Sequence, residues 1–544
     1  AEAMKYRFQW NFPIQFSRHN PKALYTLSNH VHRSTNEGQS WEVLSGDLTR
    51  NEPSKLKSSG GPITQDNTSV EYYGTLFAMD ESPLKEGVLW VGSDDGLVHV
   101  SKDNGATWTN VTPKQMPTWA MVNSIDASHF DEGSAYIAAT LYKEGDFRPY
   151  LYKTSDYGAT WTTITSGIDA EHFTRVVRAD PKRKGLLYAG TETGMYISFD
   201  DGTSWKPFQL NLPIVPITDL TIKDNNLIVA TQGRALWIID DLTVLHQLHS
   251  NTTDKAILYA PKDSYRTKGG GGRASKTAGT NHPNGVITHF YLPKEDSKVS
   301  LRFTNAAGDT IETYGTDEKK NKLKIKKGGN TFVWDTRGLG AKRLDGMILW
   351  WANLDGPKAV PGNYAVHLEV DGVSQKQDFK IVADPRTESS VEGMQQQYDF
   401  ITKVNTTINK AHEAIETIRA TNKQLAAFQK QYKDDESVSD LVEKAKAMAD
   451  SLSEVEKTLY QTQNRSGQDP LNFPIKLTNK LGHLNSLVGM DDFPPTEQDE
   501  AVRVELTEKV EAALEIFNKT LKEDVDAFNA EFNSRGLKFL FVEE

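Results

Sequence analysis

The chain has 544 residues, 62 Lys and Arg against 73 Asp and Glu, a formal net charge of −11, and no Cys. The absence of Cys excludes a disulfide framework, thiol catalysis and cysteine-ligated metal, and the acidic balance argues against nucleic acid as the main partner. The hydrophobic fraction of 37% is too high for a disordered chain, no apolar run reaches the roughly 18 residues of a membrane helix, and at about 150 residues per domain the length suggests three or four domains.

Ala1 is not a start methionine, and Ala1–Tyr6 has no apolar core of a signal peptide. The expectation is a chain that begins after processing or cleavage.

Four segments near the start repeat one pattern, S/T-x-D/N-x-G-x-S/T-W. They run from Ser34 through Asn36 and Gly38 to Trp41, and from Ser101 through Asp103 and Gly105 to Trp108. The third runs from Thr154 through Asp156 and Gly158 to Trp161, and the fourth from Ser198 through Asp200 and Gly202 to Trp205. Alternating strands precede them, such as Val88–Gly92 and Leu186–Gly190. The Asp or Asn side chain bonds backbone N–H groups two residues on, Gly supplies positive φ, and the Trp packs between sheets. Units of this length cannot bury their faces alone and must stack, which points to propeller blades. A fifth unit, Asn226–Asp241, lacks the closing G-x-x-W.

Residues 243–285 read as a connector. Gly269–Gly272 is followed by Arg273-Ala274-Ser275, without the Lys and preceding strand that a phosphate loop requires. Residues 286–384 read as an Ig-like β-sandwich, with alternating strands such as Val286–Tyr291 and Tyr364–Val370 and a hairpin signal at Asp371-Gly372. Trp334, Trp350 and Trp351 fit either core packing or carbohydrate stacking.

All 11 Trp lie at or before Trp351, and only five Gly lie beyond Pro385. The chain therefore changes from β to α architecture. Residues 385–544 carry apolar stripes at helical spacing, including Ile401, Val404, Ile408, Ala411, Ile415 and Ile418. Helices are predicted over Met394–Tyr432, Val438–Tyr460, Ile475–Leu487 and Pro495–Phe532, as an antiparallel bundle.

No residue set completes a catalytic constellation. There is no G-x-S-x-G elbow and no His-based metal motif. His30 and His32 share a strand face but lack an evident third ligand, so neither a metal nor a cofactor is expected. Arg148, Arg175, Arg178 and Arg234 are available for an acidic sugar, but none falls in a recognisable catalytic motif. The loop Gly60–Gly74 is the richest polar segment, and long loops between blades are often functional. Its Asp66 and Glu71 are the candidates for a general acid and base, or else turn and hydrogen-bonding residues. Thr64, Asn67, Tyr72 and Tyr73, with Arg148 and Arg234, are candidate ligand contacts. Asp146 and Arg148 are expected to form an ion pair beside Tyr150.

The repeated turn resembles the Asp-box, or BNR repeat, of sialidases and sortilin-type propellers, where it lies away from the central site. More widely, Tyr6–Asn11, Gly61–Thr64, Asp66–Thr68, Gly92–Gly96, Asp146–Tyr150 and Gly233–Asp241 resemble large secreted bacterial proteins. That family is described as BNR-repeat glycosyl hydrolases or sortilin N-terminal domain proteins. The G-x-N-x-F-x-W-D and P-G-x-Y runs resemble its Ig-like module.

The resemblance implies about five blades of an incomplete ring over residues 1–242, in the C-terminal portion of a longer protein. The upstream propeller portion would then be a partner. It further implies a secreted or envelope location, at the periplasm or outer-membrane surface. A binding or scaffold role presenting a protein, peptide or glycan surface is favoured. A glycoside hydrolase and a subunit of an envelope complex are the alternatives.

Overall fold

A computed structural model describes residues 4–57, 60–61, 63, 70–248, 254–267 and 281–537. The chain divides into two compact units, Ala1–Leu248 and His249–Glu544.

The first unit is a series of antiparallel sheets whose strands follow one another in sequence. The first sheet is Ile14–Phe16, Leu24–Leu27, Val31–Ser34 and Glu42–Val43; the second is Leu76–Glu81, Leu89–Ser93, Val98–Ser101 and Thr109–Asn110. The third is Met121–Ala127, Ala135–Leu141, Asp146–Thr154 and Thr162–Thr163; the fourth is Thr174–Ala179, Leu187–Thr191, Gly194–Ser198 and Lys206–Pro207. The fifth has three strands, Ile217–Lys223, Asn226–Thr231 and Leu236–Ile239. This is a propeller-like arrangement. Strands such as Leu89–Ser93 and Leu187–Thr191 are buried throughout, because neighbouring sheets cover both their faces.

The repeated turns close the third strand onto the short fourth. In the second sheet Asp103 accepts from the Thr107 N–H and hydroxyl at 2.9 and 2.6 Å, while the Gly105 N–H donates to Ser101 Oγ at 2.9 Å. Asp156 and Asp200 repeat this with Thr160 and Ser204; Asn36 likewise accepts from the Ser40 N–H through Oδ1, but its Nδ2 donates to the Ser40 hydroxyl. Gly158 has φ +82°, and a Cβ there would lie 2.6 Å from Val111 Cβ of the preceding sheet. Only glycine permits both the conformation and that approach. The fifth sheet, lacking G-x-x-W, runs instead into a short helix, α1 (Thr243–Gln247). There His246 Nε2 lies 2.8 Å from Asp180 Oδ2.

The second unit begins with two facing sheets. One has the strand order Ile257–Leu258, Val286–Leu292, Gly328–Trp334; the other Ser264–Arg266, Val373–Ala383, Gly362–Val370, Val299–Asn305, Thr310–Gly315. The 243–285 stretch thus supplies an outer strand to each sheet, while its Gly269–Gly272 run lies outside the described residues. Trp334 is fully buried and stacks on Phe303 at 4.6 Å, so of its two readings it takes the core one. Trp351 is 73% exposed and stacks on Trp350 at 6.4 Å.

The helices are α2 (Val391–Gln431), α3 (Ser439–Leu459), α4 (Leu477–Val488), α5 (Glu497–Lys519) and α6 (Asp526–Ser534). The stripe Ile401, Val404, Ile408, Ala411, Ile415 and Ile418 is buried in their common core. Ser390 caps α2, and Thr496 forms a capping box with Asp499 at α5. The segment predicted as one helix over Pro495–Phe532 is interrupted by a π turn at Thr520–Val525. There the buried Thr520 hydroxyl meets Ser451 at 3.3 Å.

Candidate functional site

The innermost strand of each sheet from the second to the fifth carries a β-bulge near its start. Pairing passes from Leu76 to Ala78, from Val122 to Ser124, from Thr174 to Val176 and from Ile217 to Asp219. The residues left out of the ladders are Phe77, Asn123, Arg175 and Thr218. A bulge frees a side chain from the sheet's alternation and re-aims it. All four of these residues line one cleft of about 390 Å³, together with Gln9, Trp10, Asn11, Tyr73 and Tyr142. A second hollow of about 370 Å³ adjoins it, sharing Tyr73, Asp94, Met121, Tyr142 and Lys143, and adding Trp119.

The walls mix aromatic rings, Trp10, Tyr73, Phe77 and Tyr142, with polar and charged side chains such as Gln9, Asn123, Lys143 and Arg175. Tyr142 stacks on Phe173 at 4.9 Å, and the Arg175 guanidinium lies over both rings while its Nε donates to Glu192 at 2.6 Å. Trp119, in the left-handed region at φ 72°, lies 6.3 Å from Tyr73 and carries Arg50 over its ring at 4.9 Å. A bulky residue in that conformation is strained and must be held by its surroundings.

Asp94 faces both hollows. Burial pushes its carboxyl up to about 7, and neighbouring Asp95 adds to the rise. Opposing this, the Thr75 N–H and hydroxyl both donate to it at 2.8 Å. Tyr73 is pushed up to about 12, first by burial and then by Asp94 and Asp95.

Further along the inner strands, the sheets are latched together. Asp80 accepts from the Ala127 N–H of the next sheet and pairs with Arg18; Asp126 accepts from the Ala179 N–H. In the fourth sheet Arg178 takes the corresponding place and donates to the Leu220 carbonyl and Asp219. Burial holds the Asp126 carboxyl well above the usual range despite Arg178.

Of the residues singled out from sequence, Tyr73 and Arg175 line the cleft. Glu71 stands beside it: its Oε1 accepts from the indole of Trp10 at 3.1 Å, and its Oε2 is buried with no hydrogen-bond partner among the described residues. Tyr72 is held by Gln9, whose Nε2 donates to its carbonyl at 3.2 Å. Thr64, Asp66 and Asn67 lie outside the described residues. Arg148 pairs with Asp146 at 2.7 Å, which holds that carboxyl well below its usual range, and Tyr150 donates to the same Asp. Arg234 is exposed and bonds the Gly233 carbonyl. Arg148, Arg175, Arg178 and Arg234 therefore serve four separate places.

His30 and His32 lie 6.4 Å apart, His30 against the Ser45 carbonyl and His32 against Ser28 Oγ. Among the described residues no group of three His, Cys, Asp or Glu is placed to hold a metal ion, and no helix is long and apolar enough to cross a membrane. Asn123, Thr218 and Trp119 escaped sequence reading. A bulge becomes visible only once the partner strand is known.

No protein-family model and no curated protein matches the chain. Among solved structures it is similar to YCF48 from Cyanidioschyzon merolae, at 18% identity and a TM-score of 0.24, covering 30% of this chain and 52% of that one. It is similar to the GH74 xyloglucanase from Xanthomonas campestris, at 14% identity and 0.33, covering 57% and 44%. An ancestral GH74 enzyme matches at 14% and 0.31, covering 57% and 38%. The chain thus spans about half or less of the length of these β-propeller proteins.

Proposed function

We propose that the first unit is a ligand-binding module of a secreted or envelope scaffold protein, and that its ligand sits in the bulge-lined cleft. The observation that carries this is the convergence of Phe77, Asn123, Arg175 and Thr218, one from each of four sheets, into one hollow. Aromatic faces beside amide and hydroxyl groups suit a glycan or a peptide. The test is a binding screen of the full chain against glycan and peptide arrays, repeated with N123A/R175A. Whatever is captured should bind the variant at least about ten-fold more weakly, with melting little changed. Undiminished binding by the variant would overturn it.

A glycoside hydrolase is the second reading. It is favoured by the Asp94 carboxyl, which sits in the cleft wall near the range of a general acid, and by Glu71, whose buried Oε2 has no partner among the described residues. Turnover of a glycan, abolished by Asp94→Asn or Glu71→Gln, would establish it over simple binding.

We read the repeated turns as Asp-boxes of a BNR, sortilin-like propeller, and the facing sheets of the second unit as its Ig-like module. The first sheet supports an upstream propeller portion, or an envelope subunit, as partner. Its Trp41 is 42% exposed, and Ile14 and Phe16, on the opposite edge strand of the same sheet, are exposed as well. Coexpression with a candidate upstream fragment should protect Trp41 from quenching; unchanged quenching in a stable complex would remove this reading.

A further inference from the structure

The outer face of the five-stranded sheet in the second unit carries side chains that its own packing does not call for. The strand register sets Arg302 opposite His367, and His367 opposite Lys376. With strands about 4.8 Å apart, this row spans about 10 Å across three neighbours. Opposed cationic groups weaken a sheet. His367 is held below its ordinary value by burial, and then by Arg302 and Lys376. Lys376 is partly answered by Asp378 at 2.9 Å, while Arg302 and Lys380 make no ion pair among the described residues.

The row borders a groove of about 810 Å³ that Lys380, Asn305, Asn363, Asp263 and Asp378 also line. Three cations for an anionic ligand, Arg302, Lys376 and Lys380, therefore stand beside amide donors and two carboxylate acceptors. An extended peptide that adds a strand seeks a free sheet edge, whereas this row lies on the three central strands of the five, each paired on both sides. Hydroxyl groups, by contrast, both donate and accept and would use the amides and the carboxylate together.

We propose that this face binds an acidic oligosaccharide, its carboxylates on Arg302 and Lys376 and its hydroxyls on the flanking amides and Asp378. The site is separate from the cleft of the first unit and does not depend on the role given to it. Calorimetric titration of the full chain with trigalacturonate at low salt tests it, with cellotriose and hexaglutamate as comparison probes. Expected are binding of trigalacturonate that weakens with added salt, no binding of cellotriose, and about ten-fold or greater weakening in R302A/K376A. K380Q, a milder change, should give a partial loss, and N123A/R175A none. The proposal is overturned if the wild-type chain does not bind, if folded R302A/K376A and K380Q bind equally well, or if hexaglutamate binds as tightly. Loss in N123A/R175A alone would likewise overturn it and assign the sugar to the cleft.

Discussion

The indole N–H of Trp205 donates to the carbonyl oxygen of Ile164 at 2.7 Å, joining the closing turn of the fourth sheet to the residue after the outer strand of the third. The same seam recurs one sheet earlier, from Trp161 to Val111 at 2.7 Å, and again from Trp108 to Leu44 at 3.1 Å. Trp205 is 3% exposed and is the most deeply buried of these three. Trp205→Ala should therefore destabilise the first unit by roughly 3–5 kcal/mol, and Trp205→Phe by less, in urea or thermal unfolding. Equal, negligible losses for both would show that the seam does not hold the sheets.

Gly158→Ala tests the same seam from the backbone side. A Cβ there meets Val111 at 2.6 Å in a left-handed conformation. The loss should exceed the roughly 1 kcal/mol that Ala costs at an open positive-φ position. Gly145→Ala is the control, since it shares the sign of φ but has no atom within 4 Å of its Cβ. The two variants should differ clearly in midpoint.

Acid should weaken the first unit through two buried histidines. His32 and His99 are each lowered to about 4, mainly by burial. A depressed histidine favours folding above its unfolded value near 6.5, and that contribution is lost as pH falls towards 4. His99→Gln should flatten part of the decline in stability between pH 6.5 and 4. An identical pH profile in wild type and variant would count against the assignment.

Asp94 works in the opposite sense. Its folded value, about 7, lies above the ordinary carboxylate value, so its contribution is greatest at low pH and is lost as pH rises through 7. Asp94→Asn keeps an acceptor for Thr75 and removes the charge. Relative to wild type, it should gain stability on moving from pH 5 to pH 8, measured by urea titration.

In the second unit, Arg266 is buried with Nε and Nη1 unpartnered among the described residues; its Nη2 donates to Gln397 at 2.9 Å and lies 3.3 Å from Asp492. Removing one member of a buried pair strands the other charge. Arg266→Ala should cost roughly 3–5 kcal/mol, and R266M/D492N much less. If both cost the same, packing rather than charge governs the site.

Much of the architecture was legible because it depends on residues with few substitutes. The turn needs Asp, Gly and Trp at fixed spacing, and helix α2 repeats its apolar stripe over many turns. The two-residue outer strands, Glu42–Val43 and Thr109–Asn110, are too short to show a period. The strands at Ile257–Leu258 and Ser264–Arg266 were hidden because their pairing partners lie far along the chain. The cleft was least visible. Asn123 sits within an alternating run, Met121–Ala127, and nothing local marks it as the residue without a cross-strand partner.

That last property has a consequence for how such a cleft can change. Asn123 and its three counterparts contribute side chains where the ladder makes no pairing demand. Each comes from a different repeat, so each can be altered alone. The molecule thus separates the residues that meet a ligand from those that make the sheets, and new preferences can be tried one repeat at a time on an unchanged frame.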